Sequence, residues 1–398
     1  MKIADLNLHY SKGKPPKNLV GPALHPYLTP DYLRGKAKPE LVPKQPGSVN
    51  TTKNDVVLLW DGSNAGEFFQ AKEGILSSTM VKFDKNKKID SEYLFYALKN
   101  LEYELKSKTA GSGIPHVDKD VLLSLDIEVP TPKEQQKIAQ ILTKADEAIL
   151  HTERLIAKYQ AIRTGLMQDL LTRGIDEAGN VRSEETHAFK DSELGRIPVE
   201  WEVKRLEDMA NVIDPQPDHR TPQEDKDGIL YVGISDVDSS GFYVRTSRRI
   251  VKEAYLQQKK RFTPKVGDII FGKRGTIGKT QIIKENYPAA LSSNLILFQP
   301  YKASSLLYHI TKASYFERQV VDLTLSTTQP AFNMGDARDL LLALPKSDVE
   351  ANRIGWQLDK VEQEITDLRL TSLKQANLKT ALMQELLTGK KRVDDLLK

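Results

Sequence analysis

The stretch Leu166-Met167-Gln168-Asp169-Leu170-Leu171-Thr172 returns 216 residues later as Leu382-Met383-Gln384-Glu385-Leu386-Leu387-Thr388. The repetition is not confined to this motif, because the strand-like Ile127-Glu128-Val129-Pro130 matches Leu342-Ala343-Leu344-Pro345 at an offset of 215. A repeat of this length is far longer than a solenoid unit of roughly 20–50 residues. The sequence therefore predicts a duplicated module whose front halves have diverged and whose back halves remain similar.

Each repeat ends in a pattern typical of a long amphipathic helix. A Ser or Thr stands three residues before a Glu at each start, which is the capping-box pattern: Thr131 with Glu134, and Ser347 with Glu350. Apolar residues then follow a heptad-like stripe that includes Ile162 in the first copy and Leu378 in the second. Gly174 and Gly389 stand where such helices end. The spacing predicts two helices of about 40 residues, each roughly 60 Å long, which we expect to pair as an antiparallel coiled coil.

These signals divide the chain into successive segments. We predict a mixed domain over 1–130, a long helix over 131–173, a linker over 174–197, a second mixed domain over 198–345, a second long helix over 346–390 and a tail over 391–398. The linker is polar and has no apolar period. Strand patterns such as 55–60 alternate with helical ones such as 93–98 in the mixed domains, which favours an α+β class over a doubly wound sheet. We expect an internal pseudo-twofold repeat in which the two mixed domains are separated by the paired helices.

Composition excludes several classes of protein. The chain is 39% hydrophobic and 28% charged, as globular proteins are. It contains no apolar run of about 18 residues that could span a membrane, and its N-terminus lacks the apolar core of a signal peptide. The absence of cysteine excludes disulfides and thiolate metal sites and fits a reducing cytoplasm. The seven histidines are scattered without an i, i+4 pair, so a metal site has no support.

The positive charge is concentrated in one segment of the second mixed domain. From Arg245 to Lys279 there are eleven basic residues, opposed only by Glu253 and Asp268. Such an excess is typical of a surface that binds a polyanion, although a solvated basic face is the alternative. Its first candidates for contact with nucleic acid are Arg245, Arg248 and Arg249.

A glycine-rich segment, 271–280, lies at the end of this basic run and follows a predicted strand. Its Gly-Lys-Thr ending resembles a phosphate-binding P-loop, but the spacing requires glycine at the position that Lys273 occupies. We expect a hairpin turn that presents four side chains able to bond to base edges or to phosphate: Lys273, Arg274, Thr276 and Lys279. A nucleotide-dependent enzyme and a purely structural turn are the alternatives.

The matching loop of the first mixed domain, 60–64, has a different character. Asn64 suits adenine and Asp61 suits the cytosine amino group, with Ser63 between them, although an ordinary turn would also use these residues. Basic residues nearby are candidates for contact with phosphate: Arg34, Lys36 and Lys53.

Two segments carry fragments of catalytic motifs. Asp214-Pro215-Gln216-Pro217 resembles the Asp-Pro-Pro-aromatic motif of adenine methyltransferases, but its fourth position is proline. Glu102-x-Glu104-x-Lys106 contains the Glu-x-Lys of some nucleases, but it continues a helical pattern as a solvated face would. We therefore expect a chain without a catalytic site of its own.

The order of these features resembles the specificity subunit of a type I restriction-modification system, over essentially the whole chain. The resemblance rests on the repeated Leu-Met-Gln-Asp/Glu-Leu-Leu-Thr helix ends, the helix start at 130–136, the segment Gly195-Arg196-Ile197-Pro198-Val199-Glu200-Trp201, and the pre-helix segments 113–117 and 328–333. The first domain lacks the Ile-Pro-x-x-Trp that opens the second, which leaves its first strand undefined.

The resemblance implies a non-catalytic, cytoplasmic reader of double-stranded DNA. Each target-recognition domain would read one half of a bipartite site, and the helices would set the spacing between the halves. Two adenine-methylating modification subunits and the motor-nuclease restriction subunits would assemble on the chain. S-adenosylmethionine, ATP and Mg²⁺ would then belong to those partners, and this chain would bind no cofactor. A coiled-coil scaffold without a DNA function is the remaining alternative.

Overall fold

The computed structural model describes residues 1–16, 23–108, 115–237, 246, 248–286, 288–325 and 332–393. The chain forms two compact units, of which the first contains Met1–Glu153 with Leu370–Lys398 and the second contains Arg154–Arg369. Each of the two long helices contributes one part to each unit.

The first unit contains two four-stranded sheets. Its strands are Tyr10–Lys12 (β1), Leu24–Leu28 (β2), Glu40–Pro43 (β3), Asn50–Thr51 (β4), Val56–Leu59 (β5), Phe68–Gln70 (β6), Gly74–Leu76 (β7) and Met80–Phe83 (β8). Its helices are Pro30–Leu33 (α1), Ser91–Asn100 (α2), Glu102–Ser107 (α3), Lys119–Ser124 (α4) and the first part of Pro132–Thr172 (α5). One sheet has the order β1-β8-β5-β6, and the other has the order β3-β2-β7-β4 with β2 and β7 parallel.

Among its described residues, the second unit repeats this plan with a four-stranded and a three-stranded sheet and adds two two-stranded sheets. Its strands are Phe189–Lys190 (β9), Ile197–Pro198 (β10), Trp201–Arg205 (β11), Ala210–Ile213 (β12), Glu224–Val232 (β13), Arg249–Ile250 (β14), Ile269–Gly272 (β15), Thr280–Ile282 (β16), Ala289–Leu291 (β17), Leu295–Pro300 (β18) and Leu341–Pro345 (β19). Its helices are Lys252–Arg261 (α6), Ser304–Ile310 (α7), Ser314–Leu325 (α8), Met334–Asp339 (α9) and the first part of Asp348–Leu386 (α10).

The two units have matching sheets. The order β12-β18-β15-β16 reproduces β1-β8-β5-β6, and the parallel pair β13 and β17 reproduces β2 and β7. The central strands β5 and β15 are buried along their whole length, as their continuous apolar sequences require. The predicted α+β class with an internal repeat is therefore confirmed.

The openings of the two units have equivalent backbone contacts. In the second unit, β11 pairs with β19, and the backbone N–H of Leu206 then donates to Leu340 O at 2.8 Å. In the first unit, Ile3 N–H donates to Leu125 O at 2.9 Å, so Ile3 occupies the place of Leu206. Lys2 pairs with Asp126 in the same way that Arg205 of β11 pairs with Leu341 of β19.

Within each unit the parts of α5 and α10 run antiparallel. In the first unit, Thr152 donates to Gln375 at 3.0 Å and Lys379 donates to Asp146 at 2.5 Å. The residue numbers on α5 thus rise as those on α10 fall. In the second unit, Arg163 contacts Glu362 at 3.1 Å.

The predicted apolar stripe is not buried throughout. Ile162 and Leu378 are exposed, Leu378 at 59%, so their placement on a buried face was wrong. The ends of the helices are buried instead, because Leu142 lies in the core of the first unit and Leu358 in that of the second. Helix period alone cannot distinguish positions that pack on a domain from positions along the helix that do not.

In each unit a buried glutamate from the first turn of a long helix pairs with an arginine. In the second unit the Glu350 carboxylate accepts from the guanidinium of Arg182 at 2.5 and 3.0 Å, from the Trp201 indole at 3.0 Å and from Ile175 N–H at 3.1 Å. We call this cluster the second-unit clasp. A Cβ at Gly174, whose φ is +63°, would lie 2.3 Å from the same carboxylate, so only glycine fits there.

The matching first-unit clasp joins Glu134 to Arg392 at 2.7 and 2.8 Å. Glu134 also accepts from Thr131 N–H at 3.1 Å, which confirms the predicted capping box. Arg182 lies in the segment predicted to be a polar linker. That segment is therefore packed into the second unit through Arg182 and through the buried Ile175 and Ile197.

Candidate nucleic-acid interface

The glycine-rich segment of the second unit is a hairpin. β15 and β16 pair antiparallel, with Phe271 opposite Thr280, and Gly278 N–H donates to Gly272 O at 3.0 Å across the turn. Gly278 has a φ of +82°, which favours glycine. A P-loop connects a strand to a helix whose N-terminus faces the phosphates. The strand–turn–strand geometry therefore excludes the P-loop interpretation.

Two of the four predicted hairpin side chains face inward. Lys273 is only 4% exposed, and its amino group bonds to Asp214 at 2.6 Å. The expectation that the turn presents Lys273 is therefore wrong, because a buried lysine is held by a buried partner rather than offered to a ligand. Lys279 donates to the carbonyls of Ile234 and Val237 at 3.1 and 3.3 Å, which anchors the turn. Arg274 and Thr276 remain exposed at its tip.

The hairpin between β5 and β6 is the counterpart in the first unit. Trp60 N–H donates to Thr79 O at 2.8 Å just as Lys273 N–H donates to Asn294 O at 2.9 Å. Ser63 and Asn64 are exposed at its tip, whereas Asp61 is half-buried and bonds to Lys12 at 2.7 Å.

The ion pairs beside the two hairpins have opposite polarity. In the first unit the base, Lys12, ends β1 and the acid, Asp61, lies in the hairpin. In the second unit the acid, Asp214, follows β12 and the base, Lys273, lies in the hairpin. Each unit therefore has an ion pair between the end of its outer strand and its hairpin, with acid and base exchanged, although the hairpin partners lie one position apart because Lys273 matches Trp60.

The predicted phosphate contacts of the first unit differ in how available they are. The guanidinium of Arg34 bonds to Glu67 and to Asp31, and the hydrogen bond with Glu67 raises its pKa further above the ordinary value. Its charge is balanced within the unit, which makes it a weaker phosphate contact than expected. Lys36 and Lys53 are exposed.

The basic residues around β14 are partly engaged. Arg248 is exposed, lies over the ring of Tyr231 at 5.1 Å and approaches Glu224 at 3.5 Å. Arg249 is exposed and donates to Gly228 O at 2.9 Å. Arg245 lies outside the described residues.

Each unit has a cleft beside a tyrosine that the sequence did not indicate. In the second unit a cavity of about 520 Å³ lies over Tyr231, which we call the second-unit tyrosine cleft; its lining includes Gln216, Arg220, Ile250, Gln257 and Lys260. In the first unit a cavity of about 350 Å³ lies over Tyr27, the first-unit tyrosine cleft; its lining includes Lys14, Val42, Gln45, Ser48 and Ile75. The available signal was a Tyr near the end of one strand of the parallel pair in each repeat, which is weak without the fold.

Helix α6 forms one wall of the second-unit tyrosine cleft. The side chain of Gln258 accepts from Leu291 N–H at 2.8 Å and donates to Leu291 O and Pro215 O at 3.0 and 3.1 Å. Arg261 donates to Asp214 O at 2.7 Å. These two residues fix α6 to the sheet and leave Gln257 and Lys260 exposed on the cleft.

The residues of the two motif fragments are held in structural contacts. Glu102 accepts from Lys99 and Lys106, each at 2.6 Å, and from Phe68 N–H at 3.0 Å. Burial acts to raise the pKa of the Glu102 carboxyl, but these hydrogen bonds outweigh it and hold the pKa below the ordinary value. Asp214 is paired with Lys273. Glu104, the glutamate of the Glu-x-Lys itself, pairs with Lys108 at 2.7 Å, so all three carboxylates are engaged in ion pairs.

One known protein family matches most of this chain. A profile of the type I restriction modification DNA specificity domain matches the chain twice, over residues 5–158 and 198–376. The chain belongs to this family of specificity subunits. The two matches correspond to the two repeats, and together they confirm the resemblance drawn from the sequence. No helix among the described residues is long and apolar enough to span a membrane.

Several proteins resemble this specificity subunit along its length. The MjaVIII specificity subunit of Methanocaldococcus jannaschii is 34% identical over 408 residues, covering all of this chain and 93% of the relative. The EcoBI specificity subunit of Escherichia coli is 21% identical, covering 89% and 78%. The crystal structure of a type I S subunit from M. genitalium superimposes with a TM-score of 0.67 at 16% identity, covering 97% and 95%. A chain from a study of assembly and conformational transition of the type I R-M system gives 0.51 at 17% identity, covering 98% and 97%.

Family membership also bears on activity. The matched relatives are named as specificity subunits, not as methyltransferases or nucleases. The chain is accordingly a DNA-specificity component of a restriction-modification complex rather than its catalytic subunit.

Proposed function

We propose that this specificity subunit reads a bipartite sequence in double-stranded DNA, with one half-site for each unit. The observation that carries the proposal is the repetition of one scaffold with different side chains at matching places. Arg274 and Thr276 are exposed on the hairpin of the second unit where Ser63 and Asn64 are exposed on that of the first. Two identical readers would recognise two copies of one sequence, whereas readers that differ recognise unrelated half-sites.

The exposed side chains suit contact with a duplex. Arginine bonds to guanine or to phosphate, and asparagine bonds in bidentate fashion to adenine. Lys36, Lys53, Arg248 and Arg249 add positive charge that would attract the phosphate backbone.

We infer further that the chain assembles in the cytoplasm with two adenine-methylating modification subunits and with restriction subunits. S-adenosylmethionine, ATP and Mg²⁺ would bind to those partners. In this chain, the carboxylates of the two motif fragments are already held in structural ion pairs. Exposed apolar side chains on α10 in the first unit offer a surface for such a partner: Leu370, Leu373 and Leu378.

A module exchange tests the proposal. The full chain would be expressed with its modification subunits in a bacterial host, and methylated adenines would be mapped across the genome. Replacing residues 198–345 with the corresponding segment of another specificity subunit should change one half of the methylated sequence. Replacing 1–130 should change only the other half. A change in both halves after either exchange would contradict the assignment of one half-site to each unit.

A further inference from the structure

We infer that the walls of the two tyrosine clefts carry the base-specific part of recognition, through Gln257 and Lys260 on α6 in the second unit and through Gln45 in the first. This inference rests on the proposed function and names the residues that would distinguish the half-sites. Four observations lead to this assignment.

The floors of the two clefts are equivalent. Tyr27 lies opposite Ile75 across the parallel strands β2 and β7, and Tyr231 lies opposite Ala290 across β13 and β17. The hydroxyl of Tyr27 accepts from Ser78 N–H at 3.1 Å, and that of Tyr231 accepts from Ser293 N–H at 3.4 Å. The two tyrosines therefore make equivalent contacts, and the two clefts lie at equivalent positions of the two repeats.

The walls of the two clefts differ. In the second unit the chain between β14 and β15 forms helix α6 over Lys252–Arg261. In the first unit the chain between β3 and β5 forms a turn and the short strand β4. A specificity subunit must keep its scaffold and vary its reading elements, so a large structural difference beside a constant floor is what a reading element should show.

Helix α6 has the properties of an element that enters a groove. None of its side chains is fully buried, and it carries Lys252, Lys259, Lys260 and Arg261 against the single acid Glu253. Gln258 and Arg261 fix the helix to the sheet, whereas neither the Gln257 nor the Lys260 side chain hydrogen-bonds to any other residue that the structure describes. The major groove accommodates an α-helix, glutamine can bond in bidentate fashion to adenine, and lysine can bond to guanine.

The first-unit cleft offers a smaller reading element. Gln45 N–H donates to the Ser48 hydroxyl at 3.0 Å and Ser48 N–H donates to Gln45 O at 2.9 Å, which makes a tight turn. The turn places Gln45 on the cleft with Lys14, which is exposed. A single glutamine can select adenine, while the lysine suits phosphate or guanine.

Point variants of the full chain, expressed with the modification subunits, test the inference by mapping methylated adenines. Gln257→Ala and Lys260→Ala should each relax the base preference at one position of one half-site, by roughly tenfold or more in discrimination. Lys260→Gln, which keeps most of the side chain, should relax the same position as Lys260→Ala. Gln45→Ala should relax a position in the other half-site only.

A control variant distinguishes base reading from non-specific attraction of the protein to DNA. Lys252→Ala removes an exposed charge at the start of α6 without lining the cleft. This variant should reduce methylation of all sites by a similar factor and leave the sequence preference unchanged. Thermal unfolding of each purified variant establishes that the comparison is made between folded proteins.

The outcomes distinguish the inference from the proposed function. If the wild-type chain directs methylation to a bipartite sequence and the four cleft variants leave both halves unchanged, the inference is wrong and the proposed function stands. The same holds if the cleft variants weaken all sites equally. If the wild-type chain directs methylation to no bipartite sequence, the proposed function fails and the inference fails with it.

Discussion

Arg163 on α5 contacts Glu362 on α10 at 3.1 Å in the second unit. In the first unit Lys379 on α10 contacts Asp146 on α5 at 2.5 Å. Asp146 and Glu362 are 216 residues apart, and so are Arg163 and Lys379. The repeat has thus preserved an acid–base contact between the helices while both residue types changed, which indicates that charge and position matter there more than side-chain identity.

The pH dependence of stability should reflect Glu362. Burial alone would raise the pKa of its carboxyl, but Lys312 and Arg163 outweigh burial and hold the pKa below the ordinary value. A carboxyl with a lowered folded-state pKa stabilises the fold above its unfolded-state pKa and loses that effect as the pH falls through the folded-state value. Glu362→Gln should therefore lower the urea concentration at the midpoint of unfolding at about pH 7. The difference from the wild type should shrink below about pH 4.

Glu364→Gln is the matched control for this measurement, because Glu364 is an exposed acid on the same helix. It should leave the midpoint nearly unchanged at both pH values. A deficit for Glu362→Gln that stayed constant between the two conditions would show that the ionised carboxylate does not contribute in this way.

The arginines of the two clasps should contribute different amounts to the free energy of unfolding. The Arg182 side chain is 7% exposed and Arg392 is 53% exposed. Removing one partner of a buried pair leaves an uncompensated charge and costs about 3–5 kcal/mol. Arg182→Ala should cost about that much in the free energy of unfolding, measured by urea denaturation. Arg392→Ala should cost less, because water can reach the place of its guanidinium. Equal losses would mean that exposure does not decide the difference.

The salt dependence of DNA binding should distinguish Arg274, which is exposed on the hairpin, from Lys279, which is anchored in it. Arg274 is exposed, so Arg274→Ala should reduce the slope of log affinity against log salt by about one unit if it contacts a phosphate. Lys279 bonds to two backbone carbonyls. Lys279→Ala should instead lower the unfolding temperature and leave the slope close to that of the wild type. DNA binding by the assembled complex, titrated over a salt series, gives both values.

The helices should set the spacing between half-sites. Adding a few residues after Gln168 or after Gln384 should change the length of the unread spacer, because each helical residue adds 1.5 Å and a duplex advances about 34 Å per turn. Selection of bound sites from a randomised DNA library measures this. Altered half-sites at an unchanged spacing would count against the helices as the determinant.

The exposed leucines of α10 should affect assembly rather than folding. Leu373 is 58% exposed, so Leu373→Ser should leave the unfolding temperature unchanged and reduce co-purification of the modification subunits. Lys374→Ala, at the neighbouring exposed position, is the control and should assemble normally. Normal assembly of both variants would direct attention to another face of the helices.

The sequence predicted those features whose signals are local or repeated. The start of α5 follows from Thr131 and Glu134, which lie three residues apart and hydrogen-bond to each other. The module repeat follows from matched segments at a constant offset. Both signals survive divergence because a helix cap or a buried strand tolerates few residue types.

Features that depend on distant partners were missed. Lys273 is buried because Asp214, 59 positions earlier, meets its amino group. Arg34 is balanced by Glu67, 33 positions later. A basic run in the sequence counts charges without their partners, so it overstated how many of them face a ligand. The tyrosine clefts were missed because each combines segments from several strands.

The reversed ion pairs at Lys12 and Asp61 and at Asp214 and Lys273 restrict how such a gene could acquire a new specificity. A crossover inside a module that joined the opening strand of one repeat to the hairpin of the other would bring two acids or two bases together. Like charges at that junction would repel each other, and a lysine in the place of Lys273 would be buried without its counter-charge. Viable recombinants should therefore exchange whole modules, with breakpoints inside the long helices rather than within the sheets.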